Sequence, residues 1–294
     1  MSNFDLEQLK TFVAVLEEGT FDAAAEKLFV TPSAISQRIK SLETIVGRVL
    51  LQRIKPIAPT ESGKELLLLA KEVVLLTNEF EDRLDKTSTN KNQSIPIAVN
   101  ADSLGTWMIP ALAKASEFAN FEVHREDEEF STELLRDGTV MAAVTSSSKT
   151  IQGCKIRKLG TMRYRPMATA DFVKKWFPNG PTTESIRNAP VIIFDKKDEM
   201  QNRYINKFVR GKVNPPCHYI PSTSDYSSAV LASMGWGYIS DMQFETLTKR
   251  QSLVELESGS SVKTTLYLQQ WKLSSETLNS AMSVICKYAK DNLH

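Results

Sequence analysis

FDAAAEKLFVTPSAISQRIKSLETIV, residues 21–46, is the stretch from which the rest of the chain is read. Phe21, Ala24, Ala25 and Leu28 fall at i, i+3, i+4 and i+7, the spacing of a short helix whose alanines let another helix approach closely. Phe29 and Val30 make a turn. Thr31 can cap the next helix, and Pro32 suits its first position because the N–H it lacks would be unsatisfied there anyway. Along that second helix Ile35, Ile39, Leu42 and Val46 form one apolar stripe, while Ser33, Ser36, Gln37, Lys40 and Thr44 face the other way. The outward face holds short hydroxyls, one amide and one cation, with no acid, which suits base edges and phosphates in a DNA major groove. On spacing alone, an ordinary amphipathic surface helix fits equally well.

Charge separates the two readings. Residues 31–55 carry Arg38, Lys40, Arg48, Arg53 and Lys55 against the single acid Glu43, whereas Asp5, Glu7, Glu17, Glu18, Asp22 and Glu26 precede them. The basic side is therefore expected to face DNA. VLLQRIKPIAPTESG, residues 49–63, then reads as a wing: a strand from Val49 to Arg53, a tip at Lys55 and Pro56, and a return to Thr60. Arg53 and Lys55 at such a tip reach phosphates or a minor groove, a solvated basic turn being the alternative.

LEQLKTFVAVLEEGTFDAAAEKLFVTPSAISQRIKSLETIVGRVLLQR, residues 6–53, followed by PTESGKELL, residues 59–67, closely resembles the N-terminal domain of LysR-type transcriptional regulators, without a gap. The resemblance implies an α/β protein overall: an N-terminal winged helix-turn-helix, a long linker helix, and a C-terminal two-lobed α/β effector domain of periplasmic-binding-protein type. It also implies DNA contacts from Thr31, Ser33, Ser36, Gln37, Lys40, Arg53 and Lys55, and dimerisation through the linker helix.

The 294 residues exceed the roughly 250 over which single cores keep growing, so more than one domain is expected. A formal net charge of +1 means that the nucleic-acid signal is local rather than global. No apolar run approaches the roughly 18 residues of a membrane span, and MSNFDLEQ lacks the basic start and apolar core of an export signal. A cytoplasmic protein without membrane contact is expected. Cys154, Cys217 and Cys286 are odd in number and widely spaced, which argues against a disulfide framework. A redox pair of Cys154 with Cys217 stays open as another trigger. His124, His218 and His294 offer neither a zinc set nor a base beside a nucleophile, so no metal, no cofactor and no enzymatic activity are expected.

Taken in order, residues 4–18 form a first helix through Leu6, Leu9, Phe12, Val13 and Leu16, completing a three-helix core. Thr60 caps a long helix to Leu84 in which Leu66, Leu69, Val73, Leu76, Phe80 and Leu84 recur at steps of three and four, a coiled-coil seam. Leu67, Leu68, Val74 and Leu75 widen its apolar surface enough to pack on the winged domain as well. KTSTNKNQS, residues 86–94, reads as a linker. Strands at 95–99, 121–125 and 142–145, with helices at 104–118 and 132–137, suggest parallel βαβ units. A second unit has strands at 164–168, 191–194 and 236–240 and helices at 171–176 and 225–234. A strand at 265–271 and a helix at 276–288 follow, and the family resemblance implies that they return to the first. The expected division is 1–59 for DNA binding, 60–87 for the linker helix, 88–162 with 268–294 for lobe I, and 163–267 for lobe II.

Ligand is expected between the lobes, near the C-terminal ends of parallel strands. Ser103, at a helix N-terminus, is a seat for a carboxylate, and Asp102 beside it would face an ammonium of the same ligand, a simple helix cap being the alternative. In REDEEFS, strand alternation would turn Glu126 and Glu128 to one side, toward the cleft, where a solvated acidic loop is the competing reading. Thr145 ends the third strand. FDKKDEM and IPSTSDY offer Asp198, Ser222 and Thr223 from the second lobe. NADSLGTW, EDE, AAVT, GTMR and FDKKD together resemble the LysR-type subgroup that answers to lysine and arginine and controls basic amino-acid export (ArgP/LysG-like). That resemblance implies L-lysine or L-arginine as effector, a double-stranded DNA operator, RNA polymerase as a partner, and a homodimer or homotetramer acting as an activator. A pocket lined with acids is what a buried ammonium or guanidinium needs, since an unpaired buried charge is costly. The alternative is a regulator of the same type with another trigger, a different small molecule or cysteine redox.

Overall fold

The computed structural model describes residues 4–84, 94–126, 128–211, 213–247 and 252–294, and the side chains of 82, 83, 128 and 129 lie outside that description. Helix α1 (Leu6–Glu18) starts at a capping box between Asp5 and Gln8 and ends at Gly19, whose φ of +69° fits the left-handed cap that glycine adopts freely. Thr20 caps α2 (Phe21–Lys27) through the Ala23 N–H, and Thr31 caps α3 (Pro32–Val46) through the Ala34 N–H at 3.2 Å. Phe12, Val15, Ala24, Ile35, Ile39 and Leu42 are buried together as the winged domain's core. The wing strands β1 (Leu51–Gln52) and β2 (Ala58–Pro59) pair antiparallel. They are shorter than the strand expected from Val49, because the backbone there is engaged elsewhere. The Leu50 N–H donates to Glu43 Oε1 at 2.9 Å, and the Thr60 hydroxyl donates to the Val49 carbonyl at 2.8 Å.

Thr60 also caps α4 (Glu61–Leu84), accepting from the Gly63 N–H at 3.0 Å. This helix feeds two cores at once. Leu66, Leu67 and Ala70 are buried with the winged domain, while Leu75 is buried with the C-terminal half. Leu69, Phe80 and Leu84, on the expected seam, are exposed. The linker expected at 86–94 lies outside the described residues except for Ser94, which opens β3 (Ser94–Val99).

After β3 come α5 (Ala101–Ser103), a π-helical turn at Leu104–Met108, α6 (Ile109–Ala115), β4 (Asn120–Arg125), α7 (Glu128–Arg136) and β5 (Ala142–Thr145). The helix expected at 104–118 is thus three segments that begin and end earlier, and the one expected from 132 begins at Glu128. The long β6 (Cys154–Thr169) leads to α8 (Ala170–Trp176), α9 (Thr183–Asn188), β7 (Val191–Ile193), α10 (Met200–Phe208) and β8 (Cys217–Tyr219). The chain continues through α11 (Thr223–Leu231), β9 (Gly237–Ser240), α12 (Asp241–Thr246), β10 (Leu253–Glu255), β11 (Val262–Trp271) and α13 (Glu276–Asn292).

One sheet runs β10-β6-β11-β5-β3-β4, with β9 also on β6, and β7 pairs with β8 beside it. Among the named strands of the described residues, parallel pairing joins β3 with β4 and β5 and β7 with β8, so the expected parallel units hold only in part. The two antiparallel strands β6 and β11 run side by side from one half of the domain to the other, making it two-lobed. The first lobe gathers β3, β4 and β5 on one end of this pair, and the second gathers β9 and β10 on the other. No described helix is long and apolar enough to cross a membrane.

Candidate DNA-reading face and effector cavity

On α3, Ile35, Ile39 and Leu42 are buried, while Ser33, Ser36, Gln37 and Lys40 are exposed on the opposite face. Thr31 is exposed at the helix start, and its hydroxyl is shared with Ser33 at 3.0 Å. Arg53 and Lys55 are exposed on the wing tip. Arg38, which the charge count placed with them, instead packs inward against α1, with Nη1 3.2 Å from Glu7 and 3.3 Å from the Thr11 hydroxyl.

Between the lobes lies a cavity of about 340 Å³ lined by Asn100, Ala101, Asp102, Tyr164, Phe194, Asp195, Lys197, Asp198, Met200, Gln201, Thr223, Tyr226, Tyr238 and Gln243. Asp102 stands on one wall, where its Oδ2 accepts from the Tyr164 hydroxyl at 3.0 Å. Burial raises its pKa, the Tyr164 bond partly opposes this, and the charge of Asp198 adds to the rise. Tyr164 is itself held well above its ordinary value by burial and then by Asp102, so it stays a donor. Asp198 sits in a tight turn: its two oxygens accept from the Met200 N–H at 3.0 Å and the Phe194 N–H at 3.5 Å, while Asp195 accepts from the Lys197 and Asp198 amides.

The back wall is built from aromatic and amide groups. The Tyr226 hydroxyl donates to the Ile192 carbonyl at 3.0 Å and accepts from Gln201 Nε2 at 3.1 Å and the Tyr238 N–H at 2.9 Å. Gly237 has no Cβ for a reason: a side chain there would run into that hydroxyl. Gln201 is buried, and its Oε1 has no partner among the described residues. Burial pushes the Tyr238 hydroxyl up to about 12. At the mouth, a Cβ on Gly105 of the first lobe would meet Thr223 Cγ2 of the second at 3.1 Å, so the lobes touch there. Ser222 precedes α11 without capping it, its hydroxyl turned to Ser224 at 3.3 Å.

Of the residues expected in the site, Asp102, Asp198 and Thr223 line this cavity, and Ser103, Glu126, Thr145 and Ser222 do not. The Ser103 N–H already donates to Asn100 Oδ1 at 2.8 Å, so Asn100 is the helix cap, and the Ser103 hydroxyl is buried without a partner among the described residues. Glu126 leaves β4 with its N–H on the Val99 carbonyl at 3.3 Å. The strand alternation that was to pair it with Glu128 does not reach that residue, whose backbone is helical in α7 and whose side chain lies outside the described residues. The Thr145 hydroxyl turns back to accept from the Ser147 N–H at 2.8 Å. Sequence reasoning missed Tyr164, Gln201, Tyr226, Tyr238 and Gln243, four of which sit in or beside elements it had drawn as strand or helix.

Burial pushes the Cys154 thiol up to about 11 and raises Cys217 and Cys286, the opposite of what a reactive thiolate needs. Among the described residues no group of three or more His, Cys, Asp or Glu is arranged to hold a metal ion.

A family described as bacterial regulatory helix-turn-helix protein, lysR family, matches residues 6–64. The HTH-type transcriptional regulator LysG of Mycobacterium tuberculosis is 38% identical over 268 residues, 91% of this chain and 88% of that one. The chain belongs to the LysR family. A second LysR-family relative, the lysine export transcriptional regulatory protein LysG of Corynebacterium glutamicum, is 33% identical over 97% of this chain and 98% of its own length. A full-length structure of the Corynebacterium glutamicum LysG with bound effector Arg superposes with a TM-score of 0.80 at 32% identity, covering 99% of both chains. These LysR-family relatives are transcriptional regulators, and this chain is a helix-turn-helix DNA-binding regulator of the same kind.

Proposed function

We propose that this regulator answers to L-lysine or L-arginine bound between its lobes and controls a gene for basic amino-acid export. The observation that carries the reading is the distribution of acceptors in the cavity. Asp102, Asp198 and the unpartnered Gln201 Oε1 all offer acceptor oxygens, which suits a ligand with several N–H donors and positive charge. The ligand carboxylate finds its partner at the first turn of α11, beside Thr223, because no side chain caps that nine-residue helix. This moves the carboxylate seat from Ser103, whose amide is engaged by Asn100, to the second lobe. One relative supplies the ligand class: the Corynebacterium glutamicum LysG is named for lysine export, and its structure holds arginine as effector.

The same proposal assigns base reading to Ser33, Ser36 and Gln37, with Lys40 beside them, and phosphate contact to Arg53 and Lys55 at the wing, with Thr31 at the helix start. It assigns homodimerisation to the exposed Leu69, Phe80 and Leu84 on α4, and places the regulator in the cytoplasm, where it meets its operator and RNA polymerase. The division into 1–59, 60–87, 88–162 with 268–294, and 163–267 belongs to the proposal too.

Calorimetric titration of the full chain with lysine, arginine, histidine and norleucine tests the effector. Norleucine keeps the α-amino and carboxyl groups and the chain length but lacks the terminal charge, so it should bind more weakly than lysine by about tenfold or more, the value of one hydrogen-bonded charge. Equal heats and affinities for lysine and norleucine would remove the acids from the site.

A further inference from the structure

Among the described side chains of α4, two charged ones are buried, Lys71 at 6% exposure and Glu79 at 7%. Buried lysines and glutamates are rare and are found paired. Glu79 accepts from the Ser275 hydroxyl and, at 3.1 Å, from the Thr277 N–H, which fastens α4 to the start of α13. Lys71 differs, because its partners lie in two separate parts of the molecule. Its Nζ donates to the Thr139 carbonyl of the effector domain at 3.2 Å and stands 3.9 Å from Glu17 Oε1 at the end of α1 in the winged domain.

Thr139 belongs to the turn that follows α7. Asp137 Oδ1 accepts from the Thr139 N–H at 2.9 Å and from its hydroxyl at 2.7 Å, and at Gly138 (φ +81°) a Cβ would meet Leu68 of α4 at 3.0 Å and Trp271 at 3.2 Å. The Trp271 indole donates to the Leu135 carbonyl at 3.1 Å, so the end of α7 is held from both sides. The other end of this nine-residue helix meets the second lobe. There Lys197 Nζ of the second lobe lies 4.4 Å from the centroid of the Phe130 ring, and Lys197 also lines the effector cavity. One short helix therefore touches the opposite lobe at its start and the linker helix at its end.

We infer that α7 and Lys71 form the relay between lobe closure and the DNA-binding domain, with Lys71 as the positioning residue. The inference rests on the reading of the cavity as the effector site. A ligand that draws the second lobe in or lets it out acts on Phe130 through Lys197. α7 carries that displacement to the Thr139 carbonyl. The Lys71 ammonium has to follow its carbonyl, because a buried charge that loses its acceptor finds no water in exchange, and Glu17 transmits the shift to α1. A relay of this kind is shown by energetic coupling between its ends and not by contiguity alone.

The test uses the full-length protein and a duplex selected on it from a random pool, with affinity read by fluorescence anisotropy with and without L-lysine. Lys71→Met keeps the aliphatic stem and removes the cation. It should retain the lysine-induced rise in melting temperature and basal duplex affinity within about twofold, yet lose the lysine-dependent change in affinity, which Lys71→Arg should keep. Lys71→Met with the full lysine-dependent change overturns the relay. If neither lysine nor arginine alters the unsubstituted protein, the effector reading has failed by itself, and the relay is judged by Phe130→Ala, which leaves the cavity wall intact. Its effect on duplex affinity, expected at about fivefold, should vanish in the Lys71→Met background. Equal effects in both backgrounds, the ordinary outcome for distant independent sites, overturn it. Should Lys71→Met fail to fold, Glu17→Gln at the 38% exposed end of the pair replaces it, with the same loss expected and the same retained response decisive against.

Discussion

Asp102 carries a conflict that a measurement can expose. Its folded-state pKa is raised, first by burial and then by Asp198, with the Tyr164 hydroxyl pulling the other way. The unliganded folded protein therefore holds this proton more tightly than the unfolded chain does, and stability is lost as pH rises from the ordinary carboxylate value through the raised one. Asp102→Asn removes that loss while keeping an acceptor for Tyr164, so the variant should melt higher than the parent at neutral pH in the absence of ligand. Binding follows the opposite sign. A ligand cation needs the ionised carboxylate, so lysine affinity should fall as pH drops through the raised value, and Asp102→Asn should lose about tenfold at neutral pH, the value of one charge-assisted bond. Differential scanning calorimetry paired with titration across pH checks both arms. An Asn variant that melts lower and binds lysine unchanged contradicts this account of the residue. Asp102 was legible because it stands between a strand and a helix, where the α/β pattern aims residues at a cleft. Tyr226, within IPSTSDY, has no local mark of its role, because that role depends on Gly237, eleven residues further on, being without a side chain.

Among the elements, α3 and α4 were readable from periodicity and caps, since both obey local rules that tertiary packing did not override. Gln37→Ala on α3 should cost about 1–3 kcal/mol on the specific duplex and less on unrelated DNA, whereas Lys55→Ala on the wing should weaken all sequences and reduce the salt slope by about one. A gel-shift series over salt separates them, and unchanged affinity in both variants would place the reading head elsewhere. On α4, the exposed Leu69 and Phe80 predict that Leu69→Lys with Phe80→Lys lowers the oligomeric mass in light scattering, because charges in an apolar seam must be desolvated. An unchanged mass removes α4 from the interface. Harder to read were β6 and α10. β6 runs unbroken through Gly160, where a one-residue slip against β11 leaves Leu159 out of register, and the glycine in the sequence looks like a boundary instead. α10 starts from Glu199 without any side-chain cap, so MQNRYINKF gives no start signal, although it supplies Met200 and Gln201 to the cavity.

For the whole molecule, the two-lobed architecture followed from the family resemblance, while the way the lobes meet did not. Gly105 against Thr223, Lys197 over Phe130, and Lys71 between Thr139 and Glu17 are contacts between segments far apart in sequence, and the first two depend on how β6 and β11 cross between halves. No local pattern encodes them. Coupling through such contacts requires only that the ligand prefer one lobe arrangement, and a ligand held by Asp102 on one side and by Asp198 and the α11 terminus on the other has that preference. The most direct measurement is duplex affinity of the full-length protein titrated with lysine and, separately, with norleucine. The expected result is a change in affinity that saturates with lysine, with norleucine needing about tenfold or more higher concentration for the same effect. The same change with norleucine at the same concentrations, or none with either lysine or arginine, would contradict it.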